Sequence, residues 1–290
     1  MKNGIIVATF FCLWISTMFS AVVQQFLGYA LILTVGVLHG ANDLTLIRFA
    51  ALKNAIPLRY SSALLYYIAA VFGTLLLFFS YPPLALLSFI LISGYHFGEQ
   101  HFKDRQTLSR FFKVVLFSSY GLLILFMIFY FNVNKTIQIL HEITGFRLTD
   151  TSLKFVLILS LVVFTAVMFY ARLTKQLKAN LIEEFFYLLV LFVVFNVADL
   201  LWGFAIYFIL WHSIPSLADQ IRLLYGKAGR SQLVAYLKSS WMYWLLSILG
   251  LVVIYMIFQD NMDFFISIMV YFLAAITFPH VIVMSKLEEG

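Results

Sequence analysis

Long runs of apolar residues follow one another along almost the whole chain, and they restrict its fold more than any other feature. A helix of about 20 apolar residues is long enough to cross the hydrocarbon core of a bilayer. Inside that core the backbone must be helical or part of a closed barrel, because its polar groups find no water there. Barrel strands are about 10 residues long and alternate in polarity. The runs in this chain are longer and do not alternate. The sequence therefore predicts an all-α, polytopic membrane protein.

The apolar runs predict about ten transmembrane helices packed as one bundle. The first run has the basic start of a signal peptide, but a second run follows at once, which favours a retained first span. No internal repeat or linker interrupts the pattern, so residues 1–290 are interpreted as a single integral membrane domain. The predicted helices cover residues 4–22, 27–49, 60–80, 83–102, 111–131, 153–173, 180–198, 200–222, 239–258 and 264–285.

The distribution of charge supports a multi-pass protein of the cell inner (plasma) membrane. Only 11% of the residues are charged, against about 25% in a typical soluble protein. Cytoplasmic loops of membrane proteins are rich in Lys and Arg. With the N-terminus inside, all 19 basic residues except Lys135, Arg147 and Lys154 fall on the cytoplasmic side. The pattern predicts two cytoplasmic termini, and it accounts for the net charge of +6 without a nucleic-acid partner.

Histidines inside the predicted helices are the main candidates for function, because an ionisable side chain in a membrane span is costly. Four of them lie on the second, fourth, eighth and tenth helices, which all run from outside to inside. Their depths differ by no more than about two helical turns. A common depth predicts a metal site, whereas a relay across the membrane needs a range of depths. The four histidines are His39, His96, His212 and His280.

The two other histidines are interpreted differently. His101 lies close to a basic loop, and we expect it at the membrane interface. His141 falls between predicted helices, and we expect it to be a solvated loop residue.

Polar residues near the histidines are candidates for orienting them. Asp43 follows His39 by four residues and Glu99 follows His96 by three, spacings that share a helix face. A histidine ligand usually donates its second N–H to a carboxylate or carbonyl group, and Asn42 is a further candidate for that role.

The donor types limit the metal. Cys12 is the single cysteine, which excludes a cysteine cluster. An all-histidine site leaves Fe(II) or Zn as the leading metals. The apolar surroundings point to oxidation of an apolar substrate, and because zinc performs no redox chemistry, they favour Fe(II). The aromatic residues that flank the proposed ligands are candidates for a substrate tunnel: Tyr95, Phe97 and Trp211.

Four segments around the histidines resemble the Brp/Blh family of membrane β-carotene 15,15′-dioxygenases. They are HGANDLTLIRF, GYHFGEQHF, WHSIPSL and FPHVIVM, and they occur in the order found in that family. The resemblance implies a non-haem iron enzyme that uses O2 to cleave the central double bond of β-carotene, or of a related carotenoid, into two molecules of all-trans-retinal. It also implies that His39, His96 and His212 are iron ligands.

The sequence departs from the family pattern at one position. Family members tend to carry a second histidine four residues after the one in the eighth helix, and this chain has Ser216 there. His280 or His101 could complete the ligand set instead. Two other functions stay open: a non-catalytic relative that binds carotenoid or retinal, and a histidine-lined transporter of metal ions or protons.

Overall fold

The computed structural model describes residues 2–53, 59–258 and 262–288. Across these residues every regular element is helical, and the only β-type pairing is an isolated bridge between Gln106 and Leu177. The predicted all-α class is confirmed.

The helices follow the chain with short connections. Two π-helical segments lie between consecutive α-helices, at Ile32–Gly36 and at Tyr207–Ser213. The α-helices are α1 (Lys2–Met18), α2 (Ala21–Leu31), α3 (Val37–Gly40), α4 (Asp43–Lys53), α5 (Tyr60–Ser80), α6 (Pro82–Phe102), α7 (Arg110–Phe131), α8 (Val133–Thr144), α9 (Asp150–Leu173), α10 (Leu181–Val197), α11 (Leu200–Ile206), α12 (Ile214–Tyr225), α13 (Arg230–Phe258) and α14 (Met262–Glu288).

Each of the ten predicted ranges overlaps a helix, but the loop that was predicted around His141 is wrong. That histidine lies in α8, whose buried residues recur at helical spacing: Thr136, Leu140 and Ile143. Burial of the side chains along one face stabilises a short helix whose other face is polar. The helix ends at Gly145, which adopts the left-handed conformation with φ 73° that glycine tolerates best.

Seven helical stretches of the described residues are long and apolar enough to cross a membrane. The other three predicted spans correspond to α1, α6 and α10. Helices α1 and α10 have 17 residues each, and α6 carries polar side chains near its C-terminal end. The count of ten spans and the positions of the termini stay predictions. The seven stretches are Ala21–Lys53, Ser61–Ser80, Arg110–Phe131, Asp150–Leu173, Leu200–Tyr225, Arg230–Ile257 and Ser267–Ser285.

Contacts between the helices divide the chain into two compact units, each made of two stretches of sequence. The first unit comprises Met1–Leu31 and Ile90–His212, and the second comprises Ile32–Phe89 and Ser213–Gly290. The prediction of a single domain over residues 1–290 stays a prediction.

Close backbone contact between α6 and α7 organises the first unit. A Cβ atom on Gly98 would overlap the backbone of Phe117, and one on Gly121 would overlap the carbonyl group of Gly94. Small residues allow membrane helices to approach in this way. The contact holds the C-terminal half of α6 against α7.

Polar contacts fix the start of α11 in the same unit. The Asp199 side chain accepts a hydrogen bond of 3.3 Å from the backbone N–H of Leu201. The Asp199 backbone N–H in turn donates to Gln24 Oε1 at 3.0 Å. An aspartate that caps the first turn stabilises a helix start. Asp199 lies between α10 and α11, where the sequence also predicts a break.

Helices α5 and α14 pack together in the second unit. The rings of Phe78 and Tyr271 lie 4.6 Å apart between them. The start of α4 is tied to α13 because Asn42 Nδ2 donates a hydrogen bond of 3.1 Å to the Tyr236 carbonyl oxygen. This bond fixes the short connection between α3 and α4, which directly follows the helix that contains His39.

Candidate metal centre

The first unit brings His96 of α6 together with His212 of the second π-helical segment. Both residues are 2% exposed. Their ring centroids lie 4.9 Å apart, and one ring nitrogen of His96 lies within 4.8 Å of one of His212. We call these two residues the His96 pair. Two imidazoles at this separation can direct nitrogen atoms toward a shared metal ion.

Glu99 orients His96, as its spacing predicts. Its Oε2 atom lies 3.3 Å from His96 Nδ1, and the residue is 5% exposed. The side chain of Tyr95 also hydrogen-bonds to Glu99. A carboxylate at Nδ1 holds the proton on that nitrogen and leaves Nε2 as the basic nitrogen. The Glu99 carboxylate therefore holds the His96 ring in one orientation.

The proposed tunnel residues have different surroundings. Phe97 packs on His212, with 4.8 Å between the ring centroids, and is 5% exposed. Trp211 donates a hydrogen bond of 3.0 Å from Nε1 to Thr9 Oγ1. The ring of Tyr95 lies 5.7 Å from that of Phe117. Phe97 therefore touches a candidate ligand, whereas Trp211 bonds to α1 and the Tyr95 ring packs on α7; the tunnel role of all three stays a prediction.

His101 has protein groups at both of its ring nitrogens. Its Nε2 atom lies 2.6 Å from Glu184 Oε2 and 3.1 Å from Arg105 Nη1. Its Nδ1 atom lies 3.5 Å from the Tyr120 hydroxyl group. Glu184 also pairs with Arg105 at 2.5 Å. These contacts support a structural role in an ion-pair cluster and give no support to His101 as an alternative ligand.

The second unit brings His39 of α3 together with His280 of α14. Both residues are 4% exposed, and their ring centroids lie 4.4 Å apart. We call them the His39 pair. Pro279 lies directly before His280 inside α14. Because proline lacks an N–H group, it removes one backbone hydrogen bond of the helix at this point.

Asp43 orients His280 in this unit. Its Oδ1 atom lies 2.7 Å from His280 Nδ1, and Tyr67 donates a hydrogen bond of 3.1 Å to its Oδ2 atom. The spacing in the sequence associates Asp43 with His39 instead. Helix α3 ends at Gly40 and α4 begins at Asp43, so the rule for residues four apart in one helix does not apply across this break.

Gln220 of α12 is a site residue that no sequence pattern predicts. Its Nε2 atom lies 3.4 Å from His39 Nδ1 and donates to the His39 carbonyl oxygen at 3.3 Å. The Tyr236 hydroxyl group donates to Gln220 Oε1 at 2.6 Å. Ser216 Oγ lies 3.5 Å from Gln220 Nε2. The position that departs from the family pattern thus belongs to a buried polar network beside His39.

Asn42, which was a candidate for orienting a histidine, has other hydrogen-bond partners. Its Oδ1 atom accepts from Ser239 at 2.9 Å and from Thr45 at 3.2 Å. Together with the bond to the Tyr236 carbonyl, these contacts make it a structural link. A role toward a histidine stays a prediction.

The donor atoms at both pairs fit a divalent transition metal. Imidazole nitrogen suits Fe(II) and Zn(II), and each pair contains one imidazole with a buried carboxylate at Nδ1. Such carboxylate contacts orient histidine ligands and raise their basicity. The only cysteine, Cys12, is buried in α1. The donor set accordingly fits an ion held by histidines.

Comparison with known proteins identifies the family. The β-carotene 15,15′-dioxygenase family matches residues 30–288. No curated protein and no solved structure matches the chain. The match covers most of the chain and contains all four histidines of the two pairs. The chain belongs to the β-carotene 15,15′-dioxygenase family.

Proposed function

We propose that the protein is a membrane non-haem iron dioxygenase that cleaves β-carotene at its central 15,15′ double bond. The reaction consumes one O2. Each of the two carbon atoms of the broken bond receives one oxygen atom, which gives two molecules of all-trans-retinal and requires no other oxidant. The observation that carries the proposal is the presence of two buried histidine pairs, each with a carboxylate on one imidazole, in a chain of this family.

The histidines of the two pairs would hold Fe(II). The fit rests on the donor chemistry, since neutral imidazoles oriented by carboxylates are ligands that non-haem iron accepts. Iron bound there would supply the activation of O2. The candidate ligands are His39, His96, His212 and His280.

The side chains around the ligands hold protons and exclude water. Glu99 and Asp43 accept the Nδ1–H groups of His96 and His280, which fixes the orientation of both rings. Phe97 and Phe208 pack on the ring of His212, at centroid distances of 4.8 Å and 5.8 Å. Apolar rings around a reacting centre keep water away from reactive species.

The membrane setting suits a hydrocarbon substrate. Within the part of the chain that the structure describes, seven helical stretches are long and apolar enough to cross a bilayer, and β-carotene partitions into its hydrocarbon core. We place the protein in the plasma membrane, with both termini in the cytoplasm.

Retinal formation tests this function directly. The chain is expressed in cells that accumulate β-carotene, and extracts are analysed for retinal while iron is measured in the purified protein. We expect retinal well above the empty-vector level and about one iron per chain. Alanine substitution of His39, His96, His212 or His280 should abolish both, because each removes a ligand.

His141→Ala is the matched control, since this half-buried histidine of α8 belongs to neither pair. It should retain retinal formation and bound iron. Cells that stay coloured and form no retinal would contradict the enzymatic function, and bound carotenoid without iron would identify a binding protein instead.

A further inference from the structure

A pocket of about 310 Å³ lies in the second unit beside Asp43. It is lined by residues of α3, α4, α5, α13 and α14 and by the connection after α3. All of the lining residues belong to stretches that are long and apolar enough to span a membrane. The pocket therefore lies at the depth where a substrate dissolved in the bilayer would be found.

The mouth of the pocket carries exposed apolar side chains. Phe72 of α5 is 66% exposed and Leu246 of α13 is 61% exposed, and both line the pocket. Exposed apolar residues on membrane-spanning helices face the lipid. The pocket consequently opens toward hydrocarbon, between α5 and α13.

The inner end of the pocket reaches the group that orients His280. Asp43 is 1% exposed, lines the pocket and lies 2.7 Å from His280 Nδ1. Tyr67 also lines the pocket, and its hydroxyl group is held by Asp43. Most of the remaining wall is aliphatic or aromatic. A long apolar molecule could thus enter from the lipid and extend as far as the His39 pair.

The size of the pocket limits its occupant. Ligand pockets are usually about 300–1,000 Å³, and this one lies at the lower end of that range. Because it runs from the lipid-exposed residues Phe72 and Leu246 to Asp43, it suits one part of a long hydrocarbon, such as one half of a carotenoid.

We propose that this pocket binds one half of the carotenoid substrate, with the terminal ring toward the lipid and the polyene chain toward Asp43 and His280. This proposal rests on the proposed carotenoid function. In this arrangement the central double bond lies at the inner end of the pocket, next to the His39 pair. The depth of the pocket would then select the central bond for cleavage.

Pocket-filling substitutions on two different helices test the proposal. Val71→Trp on α5 and Ser247→Trp on α13 each place a bulky side chain in the pocket. The matched controls are Leu76→Trp on α5 and Val252→Trp on α13, at exposed positions that do not line it. Purified full-length protein in lipid nanodiscs is titrated with β-carotene without O2, so that no turnover occurs. Binding is read from the visible circular dichroism that carotenoid acquires in a chiral protein site.

We expect the filling variants to weaken binding by at least about tenfold, which corresponds to about 1.4 kcal/mol, and the controls to bind within about twofold of the unmodified chain. Equal binding by filling and control variants would overturn the pocket assignment even if retinal is formed. Binding that depends on the pocket in a protein that forms no retinal would support the pocket and contradict the dioxygenase function. An unmodified chain that gives no carotenoid signal, with only lipid acyl chains recovered from it, would overturn the pocket proposal.

Discussion

Buried carboxylates determine which nitrogen atoms of the candidate ligands can bind a metal. Glu99 at 3.3 Å from His96 Nδ1 and Asp43 at 2.7 Å from His280 Nδ1 each accept a ring proton. Both imidazoles thereby keep Nε2 as the basic nitrogen. At the Nδ1 atom of His39 lies an amide group, that of Gln220, whose Nε2 atom is 3.4 Å away. The two pairs therefore differ in the residues that orient them.

Loss of either carboxylate should weaken iron binding. Glu99→Gln and Asp43→Asn remove the charge with little change in size, and we expect a decrease in iron affinity of about 10–100-fold. Iron affinity is measured by competition with a chelator of known strength. Asp219→Asn is the control, because Asp219 is a half-buried carboxylate that pairs with Arg222; a similar loss in this variant would contradict a specific role for Glu99 and Asp43.

Residue spacing predicts a contact only where the helix is continuous. His96 and Glu99 belong to one unbroken helix, so their separation of three residues places them together as predicted. His39 and Asp43 are separated by the break between α3 and α4, and Asp43 bonds to His280 of α14. Gln220 lies 181 residues from His39 in the sequence, so no local pattern could have associated them.

At the scale of elements, glycine contacts set the position of the helix that carries His96. Gly98 faces the backbone of Phe117, and Gly121 faces that of Gly94. An added methyl group at either glycine would force α6 and α7 apart. The same movement would displace His96 and Glu99, since both lie on the C-terminal half of α6.

Alanine substitutions at this contact should destabilise the protein. For Gly98→Ala and Gly121→Ala we expect a loss of about 1–3 kcal/mol from overpacking, together with less bound iron. Thermal unfolding of the protein in detergent gives the midpoint for each variant. Gly73→Ala on α5 is the control, because a methyl group there meets nothing within 4 Å; its midpoint should stay the same or rise. A stable Gly121→Ala protein would contradict the close contact.

Helix positions are largely predictable from apolar runs, while helix interruptions are not. The range 60–80 agrees with α5, because its apolar run fills the helix. The range 27–49 contains a π-helical segment and parts of three α-helices, and the range 200–222 contains a π-helical segment and parts of two. An apolar run shows where a helix can form, but it does not show such changes of backbone geometry. Helix α8 was missed because its mixed composition resembles a loop, although one face is buried.

For the whole molecule, the charge pattern implies a defined orientation in the membrane. Almost all basic residues fall on one side when the chain crosses ten times. This interpretation requires α1, α6 and α10 to cross as well as the seven more apolar stretches. An even number of spans puts both termini on the same side of the membrane.

Fusions at the two termini measure that orientation. We expect green fluorescent protein at either terminus to fluoresce and alkaline phosphatase at either terminus to be inactive, because each reporter works on one side of the membrane. Fusions in the loop after α8, near Arg147, should give the opposite result. Active phosphatase at one terminus would require an odd number of spans.

His212 lies in the π-helical segment Tyr207–Ser213, so the direction of its side chain depends on how many residues this segment contains. A π turn accommodates one residue more than an α turn. Deleting a single residue between Tyr207 and Trp211 would restore regular α-helix and change the directions of the side chains inside the segment relative to the two flanking helices. The shortened segment would remain apolar and helical, yet His212 would point elsewhere. During the divergence of this family, insertions and deletions in this segment should therefore be more damaging than exchanges of one apolar side chain for another.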